Sequence, residues 1–253
     1  MPDRTAQDPG KQLLLEHRRR WAGKPVLAAL YRRQLYERIA AARADGGPDV
    51  ELGGGGGFYK SFAPQTISTD IISAEWLDLA CDATSLPFGG ASIANLIAVD
   101  LLHHLARPSA LFDEARRALK PGGRLILAEP WITPGAWLFY RFVHHEECRL
   151  DVDPFDDAAP ITKDPHSGSV AIPWRMFGPG LSRFRQRWPE LCVRKVELFC
   201  CWCWLLSGGF QPVCLLPGPL LAPLLTVEET TSRLWRRWLA LRALIVLERG
   251  EQA

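Results

Sequence analysis

The stretch Val50-Glu51-Leu52-Gly53-Gly54-Gly55-Gly56-Gly57-Phe58 decides the fold, because a short apolar strand runs directly into five consecutive glycines. Glycine has no Cβ, so such a run lets the backbone approach a bound ligand closely. A dinucleotide site needs a further glycine at position 58 or 59, where the chain has Phe58 and Tyr59. A phosphate loop needs Gly-Lys-Ser/Thr, which Tyr59-Lys60-Ser61 does not supply. The pattern that fits is acid-x-Gly-x-Gly-x-Gly, formed by Glu51, Gly53, Gly55 and Gly57.

Segments typical of strands alternate with helical segments around this run, which predicts an α/β fold. The clearest strand is 93–99, Ile-Ala-Asn-Leu-Ile-Ala-Val, whose continuous apolar character is typical of a buried strand. Pro108 opens a predicted helix that ends at a Lys120-Pro121-Gly122-Gly123 turn. Strands joined by crossovers predict a parallel sheet, and one of the last two strands is expected to be antiparallel at the end of the sheet. The predicted strands are 50–52, 66–71, 77–81, 93–99, 124–129, 193–199 and 243–248.

The chain divides into three regions. Residues 1–45 are predicted to form a helical cap, because apolar residues recur there at helical spacing until the breakers of 45–48. Residues 46–130 are predicted to form the ligand-binding core. Residues 131–253 hold the last strands and two lid segments, 131–190 and 199–225, that exceed a minimal sheet domain. The apolar residues that define the cap are Leu27, Leu30, Tyr31, Leu35 and Ile39.

The composition is that of an ordinary globular protein, with 23% charged and 47% apolar residues. A net charge of +2 gives no broad attraction to nucleic acid, so no nucleic-acid partner is expected. Ten Lys and Arg against five acids in residues 1–45 predict an exposed helix face, or else a cap that meets an acidic substrate or an anionic membrane. Charges interrupt the N-terminus, which is unlike a secretory signal, and we expect a cytoplasmic protein.

Five motifs in order make the chain resemble the class I S-adenosylmethionine-dependent methyltransferases, specifically the small-molecule branch called type 11. The resemblance covers about residues 48–130. It implies a Rossmann-like, seven-stranded, mostly parallel sheet with one antiparallel strand, and S-adenosylmethionine as the cofactor. The motifs are 50–57, Asp70, Asp82-Ala83-Thr84-Ser85-Leu86-Pro87-Phe88, the 95–99 strand with Leu102-His103-His104-Leu105, and Leu119-Lys120-Pro121-Gly122-Gly123-Arg124-Leu125.

The resemblance assigns roles to residues at the carboxyl ends of the strands, where open α/β sheets bind ligands. Glu51 would assist the ammonium group of the cofactor, Asp70 would take both ribose hydroxyls, and Asp82 would hold the adenine amino group. Taken alone, Asp70 is equally typical of a turn and Asp82 of a turn or helix cap. The predicted cofactor-binding residues are Glu51, Gly53, Gly55, Gly57, Asp70, Ile71, Asp82, Ala83 and Val99.

Three features depart from the family pattern. Asn95 stands where many relatives have Asp. Asp100 stands where a small or amide residue is usual, close to the expected methyl position. Only twelve residues separate Asp70 from Asp82, so the usual helix between the second and third strands must be shortened to a loop.

Methyl transfer is an in-line displacement, so the protein mainly aligns the reacting atoms, and a base is needed only when the acceptor carries a proton. The candidate bases lie beyond strand ends. The pair His103-His104 could equally hold the start of a helix. The predicted catalytic candidates are His103, His104, Glu129, and His144 or His145.

No metal site is predicted. The neighbours His144, His145 and Glu146 would diverge on a helix rather than converge on one ion. Cys200 and Cys203 form a Cys-x-x-Cys without a second pair at zinc-site spacing. The seven cysteines are expected to act as small buried hydrophobes.

Segment 199–225 has no charged residue, yet its prolines and glycines argue against a regular membrane-spanning helix. We expect it to cover the carboxyl edge of the sheet and to line an apolar acceptor pocket. The alternative is that it closes the back of the core. Peripheral membrane contact is a further option, through Trp202, Trp204 and the cluster Arg233, Arg236 and Arg237.

The sequence therefore predicts methyl transfer from S-adenosylmethionine to a small acceptor that is apolar or lipid-linked. One alternative is a catalytically silent methyl-donor-binding partner or scaffold of the same fold. Another, an NAD-dependent oxidoreductase, is disfavoured by Phe58 and Tyr59. The sequence makes no prediction of oligomeric state.

Overall fold

The computed structural model of the protein describes residues 9–144, 146–157 and 168–250. Its centre is one sheet of seven strands: β1 (Asp49–Leu52), β2 (Ile67–Asp70), β3 (Leu79–Ala80), β4 (Ile93–Val99), β5 (Leu119–Pro130), β6 (Leu191–Phe199) and β7 (Arg242–Arg249). The strand order is β3-β2-β1-β4-β5-β7-β6. Strand β7 is antiparallel to both neighbours, and the other pairs are parallel. The predicted mostly parallel, seven-stranded sheet is confirmed.

Two details of the sheet differ from the sequence prediction. The antiparallel strand β7 lies one place inside the edge, because β6 pairs with its outer side. The predicted turn at 120–123 is instead a bulge within β5, which pairs with β4 at Leu119 and again from Arg124. Gly122 has a φ of +76°, so the chain bends there and then rejoins the strand.

Helices cover both faces of the sheet. Side chains of successive strand residues point to opposite faces, so Leu96 and Leu125 lie in one core and Ile97 and Ile126 in the other. The helices are α1 (Pro9–Gly23), α2 (Pro25–Tyr31), α3 (Glu37–Ala42), α4 (Phe58–Phe62), α5 (Pro108–Ala118), α6 (Pro134–Phe142), α7 (Ile172–Phe177), α8 (Leu181–Arg187), α9 (Trp202–Ser207) and α10 (Gly218–Leu239). A π-helical segment, Arg32–Tyr36, joins α2 to α3, and Leu102–His104 forms a 3₁₀ turn. The first core packs against α5, α7 and α8, and the second against α2 to α4.

The N-terminal helices bury the apolar residues that the sequence pattern selected. Leu27 and Ile39 have no exposed surface, and the other three cap residues are nearly as buried. Four of the five belong to the core between the cap and the sheet, and Leu30 packs instead beneath α9 and α10. The predicted helical cap therefore packs on one face of the sheet.

Segment 199–225 lies between β6 and β7 in the chain, as the sequence predicted. It contains α9, a connection over 208–217, and the beginning of α10. Gly208 and Gly209, with φ of +68° and +51°, end α9, whereas Pro219 and Pro223 fall within the first turns of α10. Among the described residues, no helix is both long enough and apolar enough to cross a membrane.

Lys24, between α1 and α2, fastens this segment to the cap. Its Nζ lies 2.7 to 3.0 Å from four backbone carbonyls, those of Ser207, Gly209, Gln211 and Val213. An ammonium group has three donors, so the four carbonyls share them. The partial burial that results lowers the pKa of Lys24.

Lys24→Met is expected to lower the free energy of unfolding by about 1 kcal/mol and to loosen the 207–213 backbone. The methionine keeps the length of the side chain but donates no hydrogen bond to the carbonyls. Hydrogen exchange should therefore speed up at residues 207–213. Lys11→Met is the matched control, since Lys11 pairs with the exposed Glu75. Equal exchange in both variants would show that Lys24 does not hold the segment.

Candidate active site

The glycine run leaves the carboxyl end of β1 and turns the chain into α4. Gly53, Gly55 and Gly57 have φ of +66°, +50° and +71°, a conformation that residues with a Cβ rarely adopt. A Cβ at Gly54 would lie 2.2 Å from Ser68 Oγ, which leaves no room for a side chain. The glycines of the acid-x-Gly-x-Gly-x-Gly pattern are therefore required by the backbone conformation itself.

The cap lies directly over the glycine run. Arg18 on α1 donates from Nη1 to the Gly56 carbonyl at 2.6 Å. Its guanidinium also lies 4.5 Å from the centre of the Trp76 ring, and this indole donates to the loop backbone at 2.8 Å. On the same helix, Trp21 stacks on Phe58 with ring centroids 4.2 Å apart. These contacts place the cap at the candidate cofactor site.

Asp70 ends β2 beside the glycine run. Its Oδ2 accepts the Gly55 N–H at 2.8 Å, and its Oδ1 accepts the Ile72 N–H at 2.9 Å. Each carboxylate oxygen has two lone pairs, so each keeps the capacity to accept a further hydrogen bond. Asp70 can therefore shape the loop and accept from ribose hydroxyls at the same time.

The other predicted cofactor residues lie along the same edge of the sheet. Strand pairing sets Asp70 opposite Ala80 and Leu52 opposite Ala98, so β1 to β4 end together. Residues 71–78 join β2 to β3 without a helix, as the short spacing predicted. The structure thus brings together Val99, which ends β4, and the residues that follow the other strand ends: Gly53, Ile71, Asp82 and Ala83.

Asp82 follows β3 on the exposed surface. Its Oδ1 accepts from the N–H and from the hydroxyl of Thr84, at 2.8 and 2.7 Å. This is the turn role that the sequence also allowed. The contact with an adenine amino group stays a prediction.

Glu51 lies beneath the glycine run and is 3% exposed. Its Oε2 accepts the hydroxyl proton of Ser68 on β2. Burial raises the pKa of Glu51 to about 7, although the hydrogen bond from Ser68 opposes the shift. Its assistance to an ammonium group stays a prediction.

A buried charged cluster lies where β4 and β5 end. Glu129, which has no exposed surface, accepts the N–H groups of Leu101 and Leu102 at 2.9 and 2.7 Å. Its Oε2 lies 2.6 Å from Nδ1 of His103. The second ring nitrogen of His103, Nε2, lies 3.4 Å from Glu146 Oε2. His103 is therefore held between two carboxylates.

The two carboxylates favour the protonated form of His103. Burial lowers the pKa of His103, but Glu129 and Glu146 outweigh this effect and raise it to about 10. Burial would raise the pKa of Glu146, but His103 lowers it to about 2. An imidazolium held in this way fixes the backbone after β4. Catalytic roles for His103 and Glu129 stay predictions.

The remaining histidine candidates lie at the margin of this cluster. Nε2 of His104 is 3.9 Å from Glu146 Oε1, and burial together with the His103 cation lowers the pKa of His104. His144 packs on Phe139 and Tyr140, with ring centroids 5.6 and 5.3 Å apart. His145 lies outside the described residues. Catalytic roles for His104 and His144 also stay predictions.

Some donor atoms of this cluster lie close enough together to hold a cation. The atoms of each group fall within 4.8 Å of one another. A histidine must be deprotonated to bind a metal, whereas the carboxylates around His103 favour its protonated form. The absence of a metal site stays a prediction. The two groups are His103, His104 and Glu146, and Asp100, His103 and Glu129.

Sequence reasoning missed Arg242, the first residue of β7. Because β7 is antiparallel, this residue lies at the carboxyl edge of the sheet, opposite Pro130. Arg242 is 5% exposed and donates from Nη2 to Asp100 Oδ1 at 2.7 Å. Its Nε finds no hydrogen-bond partner in the described part of the chain. Asp100 has a φ of +53°, a strained conformation typical of functional sites. The departure of Asp100 from the family pattern was the one sequence feature that pointed to this pair.

Aromatic residues of segment 199–225 approach the same edge. The Phe210 ring lies 5.8 Å from that of Phe58, which follows the glycine run. The Trp204 ring lies 5.0 Å from that of Tyr31 and 5.4 Å from the Arg242 guanidinium. Trp202 is instead 40% exposed. Two of these three aromatic residues therefore lie beside the candidate site.

Cys201, Cys203 and an open cleft lined by basic side chains carry none of the predicted chemistry. Burial raises the pKa of Cys201 and of Cys203 to about 12, so neither thiol is a nucleophile at neutral pH. The cleft, of about 590 Å³, contains no predicted site residue. Its basic side chains all pair with acids; they are Arg33, Arg38, Arg124, Arg194 and Lys195.

Comparison with known proteins agrees with this geometry. Residues 51–127, from β1 into β5, match a family described as a methyltransferase domain. A SAM-dependent methyltransferase from Archaeoglobus fulgidus has a TM-score of 0.50 and 14% identity, over 88% of this chain and 93% of that one. A geranyl diphosphate methyltransferase, solved with GPP and sinefungin, has a TM-score of 0.50 and 16% identity, over 85% of this chain and 76% of that one. No curated protein matches the sequence.

At these identities the solved structures show a shared fold, and the family match covers the part of the chain from β1 into β5. The matched residues include the glycine run, Asp70, Asp82 and His103. Residues 51–127 therefore match a methyltransferase domain, and the chain has the fold of solved S-adenosylmethionine-dependent methyltransferases.

Proposed function

We propose that this methyltransferase transfers a methyl group from S-adenosylmethionine to a small, at least partly apolar acceptor. The observation that carries the proposal is the meeting of two surfaces at one sheet edge. The glycine run and Asp70 form the first, and Trp204 and Phe210 approach it from segment 199–225. The first suits the donor, and aromatic walls with few polar groups suit an apolar acceptor.

Features of the described residues support this donor. Asp70 keeps acceptor capacity for ribose hydroxyls, and Ile71 beside it is 72% exposed, which offers an apolar surface for a base ring. The glycines admit a ligand against the backbone. The donor supplies a methyl group on a positively charged sulfur that is already activated, so the chain contributes mainly alignment.

Asp100 and Arg242 are the residues best placed to meet the acceptor. The Asp100 side chain is 34% exposed, and one of its oxygens accepts from Arg242. A bond forms between the acceptor atom and the methyl carbon as the methyl–sulfur bond breaks. An acceptor hydroxyl or amine must also lose its proton, and the Asp100 carboxylate can accept it.

The test uses methyl-labelled S-adenosylmethionine and a cell extract separated into organic and aqueous fractions. We expect label in a product from the organic fraction, with the Asp100→Ala variant slower by about 100-fold or more. Asp151→Ala, at a surface residue that is 77% exposed, should match the wild type. Label in aqueous products alone would contradict the apolar acceptor. Donor binding without labelling of either fraction would instead favour the silent donor-binding protein.

A further inference from the structure

Large apolar side chains are exposed on one group of helices. Of the 19 exposed large hydrophobic residues in the described part of the chain, 15 fall within residues 137–143 and 202–239. Those on α6 include Phe142, which is 70% exposed, and those on α10 include Leu234 at 73% and Trp238 at 60%. A concentration of large exposed apolar side chains on neighbouring helices is typical of an interaction site. We call the exposed apolar side chains of these two ranges the tryptophan face.

The helices that carry the tryptophan face form one body. Helix α10 packs against both α6 and α9. At one end, a Cβ on Gly135 of α6 would lie 2.8 Å from the Trp238 carbonyl. At the other, the buried carboxylate of Glu228 accepts the N–H groups of Trp202 and Cys203 at 2.9 and 2.8 Å. The exposed side chains are therefore held by a shared scaffold.

The charge on this body is basic. Of its two acids, Glu228 is buried and Glu229 pairs with Arg33 at 2.7 Å. Arg141 and Arg237 are exposed. Basic residues beside an apolar surface are attracted to anionic lipid headgroups. The charged residues of 131–143 and 199–241 are Arg141, Glu228, Glu229, Arg233, Arg236 and Arg237.

We propose that the tryptophan face docks on an anionic lipid bilayer, with α10 lying in the plane of the interface. Indole rings have an apolar body and a polar N–H, which suits the headgroup level of a bilayer. The face exposes four of them: Trp137, Trp202, Trp235 and Trp238. No described helix is long and apolar enough to span a membrane, which leaves interfacial contact.

A second copy of the chain is a poorer occupant of this face. In a twofold interface the same patch meets itself, so two faces of the same basic charge would be brought together. Like charges opposed in this way disfavour association.

The docking proposal does not depend on the proposed methyl transfer. If the protein both docks on a bilayer and methylates an apolar acceptor, the acceptor would reach the site from the bilayer side, because α6 and α9 follow the carboxyl ends of β5 and β6.

The test is co-sedimentation with vesicles of equal parts phosphatidylcholine and phosphatidylglycerol. The wild type should sediment with them, and less so with phosphatidylcholine alone. The double variant L234D/W238D should bind about tenfold more weakly or worse, and Arg237→Gln about fivefold more weakly. The matched controls are Val196→Asp, an exposed residue on β6, and Arg185→Gln, on α8; both should bind as the wild type.

Each contrary result overturns the proposal. Wild-type protein that stays in the supernatant with anionic vesicles would exclude docking. Equal loss of binding in Val196→Asp would show that the tryptophan face is not the contact. A dimer in sedimentation velocity that L234D/W238D dissociates, without vesicle binding, would assign the face to a second copy. Titration of each variant with S-adenosylhomocysteine separates these results from a failure of the proposed function, because vesicle docking does not depend on cofactor binding.

Discussion

Glu129→Ala is expected to lower the free energy of unfolding by about 3–5 kcal/mol, the cost of breaking a buried ion pair. The Glu129 carboxylate has no exposed surface and accepts from two backbone N–H groups and from His103. Alanine would leave a buried imidazole and two N–H groups without this acceptor. Chemical denaturation at neutral pH measures the loss.

Two variants show whether the loss comes from the buried cluster. Glu129→Gln keeps an acceptor oxygen but removes the charge, so its loss should be smaller. Glu190→Ala removes an acid from a half-exposed pair with Arg116 and should cost less than about 1 kcal/mol. If Glu129→Ala cost no more than Glu190→Ala, the cluster would not stabilise the fold.

The same cluster predicts how stability depends on pH. The pKa of His103 is about 10 in the folded protein against an ordinary 6.5, so its stabilisation is full below pH 6.5 and is lost as the pH rises through 10. The pKa of Glu146 is lowered to about 2 from 4.5, so its stabilisation is present above pH 4.5 and is lost as the pH falls through 2. Denaturation curves across this range should show both losses, and the alkaline one should shrink in Glu129→Ala. A flat profile between pH 6.5 and 10 would contradict a protonated His103.

Asp70→Ala is expected to weaken cofactor binding by about 1.5–3 kcal/mol, roughly 10- to 150-fold in Kd. Two effects combine, because alanine removes the acceptor for the ribose hydroxyls and also releases the N–H groups of Gly55 and Ile72. Calorimetric titration with S-adenosylhomocysteine gives the change, and circular dichroism confirms folding. Asp151→Ala is the matched control. Unchanged affinity in a folded Asp70 variant would move the ribose contact to another residue.

Short-range sequence patterns predicted the strands that surround the candidate cofactor site. Strand β4 coincides with the predicted 93–99 because a continuous apolar run has few other stable environments. The prediction of a turn at 120–123 was wrong, because Pro and Gly occur in bulges within a strand as well as in turns. The strand pattern also gave no information on pairing order, so it could not place β7 inside the edge.

The acceptor side of the site could not be predicted, because it is built by contacts between parts of the chain that are distant in sequence. Arg242 pairs with Asp100 across 142 positions, and Lys24 binds carbonyls more than 180 positions away. An arginine or lysine at such positions is usually solvated, so its type gives no sign of burial. Glu129 was selected as a base because it ends a strand, but its burial follows from the turn that packs over it.

Calorimetric titration of the purified protein with S-adenosylhomocysteine and, separately, with NAD tests the central claim most directly. The account predicts S-adenosylhomocysteine binding at micromolar Kd, about −8 kcal/mol, and no heat of binding with NAD. Binding of NAD without binding of S-adenosylhomocysteine would contradict the assignment of the glycine run to a methyl donor.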